Sequence, residues 1–81
     1  MQLYLVEAFV GRATAVDCAA RAGLARAAAH DAGAMVRFVS WMLVPEDEIC
    51  FYLFTAGSRD DVERVSAHAG PGHDRIVEAL G

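Results

Sequence analysis

The chain has 81 residues, of which 11 are acidic and seven are arginine, so its formal net charge is −4. This length predicts a single domain over residues 1–81, because so short a chain buries only about 60% of its surface on folding. The negative charge argues against a nucleic-acid partner, and the interrupted apolar positions argue against a membrane span of about 20 residues. The composition therefore predicts a soluble globular domain.

The first part of the chain predicts a strand followed by a helix. Residues 3–10 are almost all apolar, as expected of a strand that is buried on both faces. Thr14 precedes Asp17 by three positions, the capping-box pattern that starts a helix. Gly33 can adopt the left-handed conformation that ends one. We therefore expect a helix from Thr14 to about Asp31.

The second part of the chain predicts two strands, a helix and a last strand. Residues 36–44 and 49–54 are rich in β-branched and aromatic side chains, and a turn separates them, so residues 36–56 predict a hairpin. The capping pattern returns at Ser58, and the helix that it starts ends at a glycine-rich segment. Residues 73–80 then alternate between apolar and polar side chains, as an edge strand does.

The order βαββαβ predicts a ferredoxin-like α+β fold, with an antiparallel sheet in the order 4-1-3-2 and both helices on one face. The first three strands carry large apolar side chains at successive positions, yet the helices can cover only one face of the sheet. An exposed apolar patch of several hundred Å² marks an interaction surface. We therefore expect a homodimer formed through the helix-free face.

The two cysteines, Cys18 and Cys50, are too few to form a disulfide framework. The chain also starts without the basic segment and cleavage site of a signal peptide. Both observations predict a cytoplasmic protein with reduced thiols. A free cysteine commonly packs as a small hydrophobic residue, which is the interpretation favoured for both.

Glu7 is the one charged residue within the first strand. A carboxylate among apolar neighbours must be paired, protonated or directed into a cavity. One interpretation is an ion pair with Arg75 or Arg12, and this is favoured. The other is a general base or a ligand-binding group in a pocket that Trp41 and Tyr52 help to line, although aromatic residues at strand spacing more often belong to a core or a dimer interface.

A second group of candidates consists of possible metal ligands. The predicted topology brings Glu7, Cys18, His68 and His73 to the same end of the domain. Carboxylate, thiolate and imidazole groups together can hold a borderline divalent metal such as nickel or zinc. The sequence contains no short metal-binding motif, so solvent-exposed histidines are the competing and favoured interpretation.

Several segments, spread over nearly the whole chain, resemble a bacterial family of about this length that is described as a domain of unknown function. These segments are Leu3–Glu7, Trp41–Phe54, Ala69–Gly70 and Asp74–Ala79. The family includes small nickel-binding or nickel-responsive proteins. The resemblance implies a ferredoxin-like fold and a homodimer.

In the nickel-binding members of that family, histidines lie in the first strand and in both helices. Here the position in the first strand is similar to Glu7, the position in the second helix is similar to Ser66, and Cys18 is the nearest donor in the first helix. The resemblance therefore implies a branch that kept the scaffold and changed or lost the metal site.

Two functional hypotheses follow. The first is a non-enzymatic homodimeric binding protein that holds a divalent metal such as nickel, or a small ligand, near Glu7. The second is a cofactor-independent enzyme of the isomerase, cyclase or monooxygenase type, since ferredoxin-like dimers with one buried acid host such reactions. That enzyme would use Glu7 as its acid or base, in a pocket lined by Trp41, Tyr52 or Phe54.

Overall fold

A computed structural model describes residues 1–12, 14–69 and 75–79, apart from the side chains at positions 34, 68 and 69. Four strands and two helices follow one another in the predicted order, with the bounds β1 Gln2–Phe9, α1 Ala15–Asp31, β2 Val36–Val44, β3 Ile49–Ala56, α2 Arg59–Ala69 and β4 Arg75–Ala79. The predicted glycine-rich end of α2, and residues 73, 74 and 80 of the predicted last strand, lie outside the described residues.

The four strands form one sheet in the order β2-β3-β1-β4, with every neighbouring pair antiparallel. This is the predicted order read from the other edge, so the ferredoxin-like fold is confirmed. β1 lies in the middle of the sheet, where Glu7 is opposite Phe51 on one side and Arg75 on the other.

Helix α1 begins with the capping box that the sequence predicts. The Thr14 backbone N–H donates to Asp17 Oδ2 at 3.0 Å, and the Asp17 N–H donates to Thr14 Oγ1 at 3.2 Å. These bonds satisfy amides that the first turn of a helix leaves without partners. Past the end of the helix, Gly33 has a φ of +80°, which a residue without a Cβ adopts readily.

Both helices pack on one face of the sheet, where every second strand residue is buried. The core consists of aromatic and aliphatic strand residues packed under small helix residues. It includes Tyr4, Val6, Tyr52 and Phe54 from the strands and Ala22, Ala25, Ala29, Val62 and Val65 from the helices. The alanines of α1 let its backbone lie close to the strands, which explains why the alanine-rich sequence forms a thin helical layer.

The opposite face carries no helix among the described residues, and we call it the open sheet face. Strand alternation and register assign to it the apolar or aromatic residues Leu3, Leu5, Phe9, Met42, Val44, Ile49, Phe51, Leu53, Val77 and Ala79, and the polar or charged residues Glu7, Arg37, Ser40, Thr55 and Arg75. Phe9 and Met42 are 62% and 54% exposed, and most of the others are partly exposed. None of the helices in the described ranges is long and apolar enough to cross a membrane.

Candidate functional site

Glu7 and Arg75 form an ion pair on the open sheet face, between β1 and the edge strand β4. The distance from Arg75 Nε to Glu7 Oε2 is 3.4 Å, and the two side chains are 69% and 21% exposed. Strand pairing accounts for the contact, because the two residues are opposite each other across β1 and β4. Of the alternatives open at the sequence level, the ion pair with Arg75 is the one observed.

Trp41 and Tyr52 lie on the other side of the sheet from Glu7. They are partners in the β2–β3 register and belong to the face that the helices cover. Tyr52 is 1% exposed, and Trp41 packs against the core. The prediction that Glu7, Trp41 and Tyr52 line one pocket is therefore wrong, because Glu7 is the cross-strand partner of Phe51 and the next residue of that strand, Tyr52, lies on the other face with its own partner Trp41. The structure supports the alternative that the two aromatic residues are core residues.

The hydroxyl groups of Tyr52 and Ser66 are buried without a hydrogen-bond partner among the described residues. Burial raises the pKa of Tyr52, because the phenolate form is poorly solvated there, and the positive charge of Arg21 opposes this effect. Ser66 is 2% exposed on the inner side of α2. Both residues therefore serve packing in this structure.

The two cysteines are joined to each other, whereas the sequence predicts two reduced thiols. Cys18 of α1 and Cys50 of β3 form a disulfide bond, with their Cα atoms 6.2 Å apart. That separation lies within the range that disulfides span. The topology correctly predicted that these residues lie at the same end of the domain. The prediction of reduced thiols, which was based on the small number of cysteines and on the start of the chain, is wrong.

The predicted metal ligands do not come together within the described residues. Glu7 lies on the open sheet face, while Cys18 lies on the helix side and its sulfur is bonded to Cys50. No group of three or more His, Cys, Asp or Glu residues in the described ranges could hold a metal ion. The His68 side chain and His73 lie outside the described residues, so their part in a metal site stays a prediction.

A groove lies between the second half of α1 and the first half of α2, with a volume of about 810 Å³. Its lining includes Leu24, Met35, Asp61 and Arg64. The sequence gives no sign of this groove at Asp61, because an acidic residue in the first turn of a helix is ordinary. The small residues of α1 were the only available signal, since they leave space beside a helix that larger side chains would fill.

No family model and no curated protein matches this chain. One similar solved structure is the crystal structure of SCO4226 from Streptomyces coelicolor A3(2), with a TM-score of 0.83 over 98% of each chain. The two sequences are 22% identical. This likeness shows a shared ferredoxin-like fold and does not extend to function.

Proposed function

We propose that the protein is a small non-enzymatic binding protein that works as a homodimer through its open sheet face. The observation that carries the proposal is the composition of that face, on which Leu5, Phe51 and Leu53 lie side by side in the register. Contiguous apolar surface of this kind usually marks an interface. A second copy of the same chain is the simplest occupant that has a matching apolar surface.

The charges of the face favour a second copy as the partner. In a two-fold symmetric dimer the same patch meets itself, so the patch must be self-complementary. The pair of Glu7 and Arg75 has no net charge, and Arg37 on the opposite edge strand adds one positive charge to the face. Placed near the two-fold axis, Glu7 of each copy can approach Arg75 of the other without bringing like charges together.

Nickel binding, which the family resemblance suggests, is a separate hypothesis. The described donors do not support it, because Cys18 is bonded to Cys50 and Glu7 is paired with Arg75 on the other face. Nickel titration of untagged protein by calorimetry tests it. Stoichiometric heat would revive the hypothesis, and the absence of heat would end it. For the binding function we favour a small organic ligand, because the groove between α1 and α2 offers a space of suitable size.

The enzymatic hypothesis has no supporting observation in the described residues. It requires the Glu7 carboxylate to face a cavity lined by Trp41, Tyr52 or Phe54, and these three residues belong to the opposite face.

We keep the cytoplasm as the proposed location. The Cys18–Cys50 disulfide argues against this location, because most cytosolic thiols are kept reduced. Trapping free thiols in intact cells shows whether the bond forms there, and a bonded pair in the cell would count against the cytoplasm.

A pair of matched substitutions tests the homodimer. Met42→Glu places a charge beside Phe51 on the open sheet face, whereas Val16→Glu makes the same kind of change at a residue of α1 that is 77% exposed. Both positions are exposed in the single chain, so both variants should fold. In size-exclusion chromatography with light scattering, Met42→Glu should be a monomer and Val16→Glu a dimer. Equal masses for both variants would contradict the proposal.

A further inference from the structure

The groove between α1 and α2 has the size and the wall chemistry of a small-molecule site. Its volume is about 810 Å³, within the roughly 300–1,000 Å³ that such sites occupy. Leu24 and Met35 flank it and are each 56% exposed, while Val36 and Val65 beneath them are almost fully buried. Two large apolar side chains at the rim of an apolar floor cost free energy in water unless something covers them.

One end of this groove carries a largely buried carboxylate. The Asp61 side chain is only 11% exposed, and its Oδ1 atom is paired with Arg64 one helical turn further along α2. The Arg64 side chain is 73% exposed. The exposed Arg64 side chain is well solvated if it leaves, but the sheltered carboxylate then requires another cation in its place.

Gly57 lies close to both Asp61 and Met35. A Cβ atom at position 57 would lie 3.7 Å from Asp61 Oδ2 and 3.3 Å from Met35 Cε. Even a methyl-sized group at position 57 would crowd the thioether, so a ligand that approaches Asp61 along the groove requires the flexible Met35 side chain to shift.

The remaining charges of the groove also favour a cation. Asp31, the last residue of α1, lines the groove near the C-terminal end of that helix. A helix C-terminus carries about half a negative charge, so a carboxylate at this position adds to the negative potential. Against Asp31 and Asp61, the described part of the lining has one cation, Arg64.

From this arrangement we infer that the groove binds a small organic cation, a protonated amine joined by a short chain to an aromatic ring. The ammonium group takes the place of Arg64 at Asp61, and the ring lies between Leu24 and Met35. A thioether makes favourable contacts with aromatic rings, and a charge-assisted hydrogen bond to a sheltered carboxylate is stronger than a neutral one. A small organic cation is thus the ligand class for the proposed binding function. The site lies in the helical layer and does not require the dimer.

Calorimetric titration with phenethylamine tests the inference, with phenethyl alcohol as the uncharged ligand of similar shape. The amine should bind more tightly than the alcohol. Asp61→Asn should weaken amine binding by about tenfold or more, whereas Asp60→Asn, the same change on the exposed neighbouring residue, should leave it unchanged. Failure of the amine to bind at millimolar concentration, or equal affinity for both ligands, would overturn the inference.

Two further variants keep the test decisive if Asp61→Asn folds poorly. Arg64→Ala removes the competing cation, so phenethylamine should bind more tightly, while Arg59→Ala should have no effect. Weaker binding to Arg64→Ala would contradict the proposed exchange of cations. The Met42→Glu variant should bind the amine as well as the unmodified protein does, so a failure of the dimer and a failure of the groove can be told apart.

Discussion

Arg75 Nε lies 3.4 Å from Glu7 Oε2, on a sheet face that is otherwise mainly apolar. In a single chain, water reaches this pair and screens it, since the Arg75 side chain is 69% exposed. Such exposed pairs contribute about 0–1 kcal/mol. If two copies meet through this face, the same charges are buried, and removing one of them leaves the other without compensation, at a cost of about 3–5 kcal/mol.

The substitution Glu7→Gln should therefore weaken the dimer much more than it destabilises the single chain. We expect the dimer dissociation constant to rise by more than tenfold, because Arg75 is left as a buried unpaired cation. Sedimentation equilibrium at several concentrations measures this constant. Glu63→Gln, which breaks the exposed pair with Arg59 on α2, is the control and should leave the constant unchanged.

Replacing both charges should reverse the effect of replacing one. The double variant Glu7→Leu/Arg75→Leu removes the buried charges together, and apolar replacements of buried ion pairs are often neutral or stabilising. Its dimer should be at least as stable as that of the unmodified protein. A double variant that dissociates more readily than Glu7→Gln would show that the pair is not buried at an interface.

The Cys18–Cys50 disulfide should stabilise the domain by restricting its unfolded state. The two cysteines are 32 positions apart, and closing a loop of that length is worth about 3–4 kcal/mol in the chain-entropy model. Urea denaturation should therefore give a lower free energy of unfolding when a reductant is added. The double variant Cys18→Ala/Cys50→Ala should not respond to the reductant. An unchanged unfolding midpoint for the unmodified protein in reductant would contradict the presence of this bond.

The capping box of α1 makes a smaller contribution to stability. Thr14→Ala removes the hydroxyl that accepts from the Asp17 N–H, and losing such a cap costs about 1 kcal/mol. Thr14→Ser keeps the hydroxyl and should retain most of the stability. Thermal unfolding followed by circular dichroism compares the two variants, and equal losses in both would argue against the capping role.

The same contacts set the pH dependence of the capping box. Hydrogen bonds from the Thr14 backbone N–H and hydroxyl lower the pKa of Asp17 below its usual 3.8. Folding is thus favoured by the ionised carboxyl, and this contribution is fully present above pH 3.8 and is lost as the pH falls through the lowered pKa. NMR titration should show the Asp17 pKa moving up towards its usual value in Thr14→Ala, while the pKa in Thr14→Ser stays lower.

Tyr52→Phe should be neutral or stabilising, although Tyr52 is among the most deeply buried residues. Its hydroxyl has no hydrogen-bond partner among the described residues, so the substitution removes a buried polar group without breaking a bond. Burial also raises the pKa of Tyr52, so the native state loses stability as the pH rises above 10, where the unfolded chain releases the proton. Urea denaturation should show a smaller loss at alkaline pH for Tyr52→Phe than for the unmodified protein.

The sequence predicted the fold well because its signals are local and periodic. The capping pattern at Thr14 and Asp17 and the apolar runs of the strands are read over a few residues, and the order of elements then leaves few topologies. Whether Glu7 lies on the same face of the sheet as Trp41 and Tyr52 depends instead on the alternation of side chains along each strand and on the register between strands. Because shifting the register by one residue moves a side chain to the other face, composition alone could not place the three residues.

The disulfide was missed for a different reason. Two cysteines give no spacing pattern, and only the distance between α1 and β3 determines that Cys18 can reach Cys50. The groove at Asp61 also arises from tertiary packing, since it exists only where the alanine-rich half of α1 lies beside α2. Such sites require coordinates, whereas strands and helices do not.

The molar mass of the unmodified protein in dilute solution tests the central claim most directly. Light scattering at micromolar concentration should give about twice the 8.7 kDa of one chain. The backbone amides of the neighbouring strands β1 and β3 should also be protected from hydrogen exchange, and this protection should decrease in Met42→Glu. A mass of one chain, with the open sheet face accessible to solvent, would contradict the homodimer.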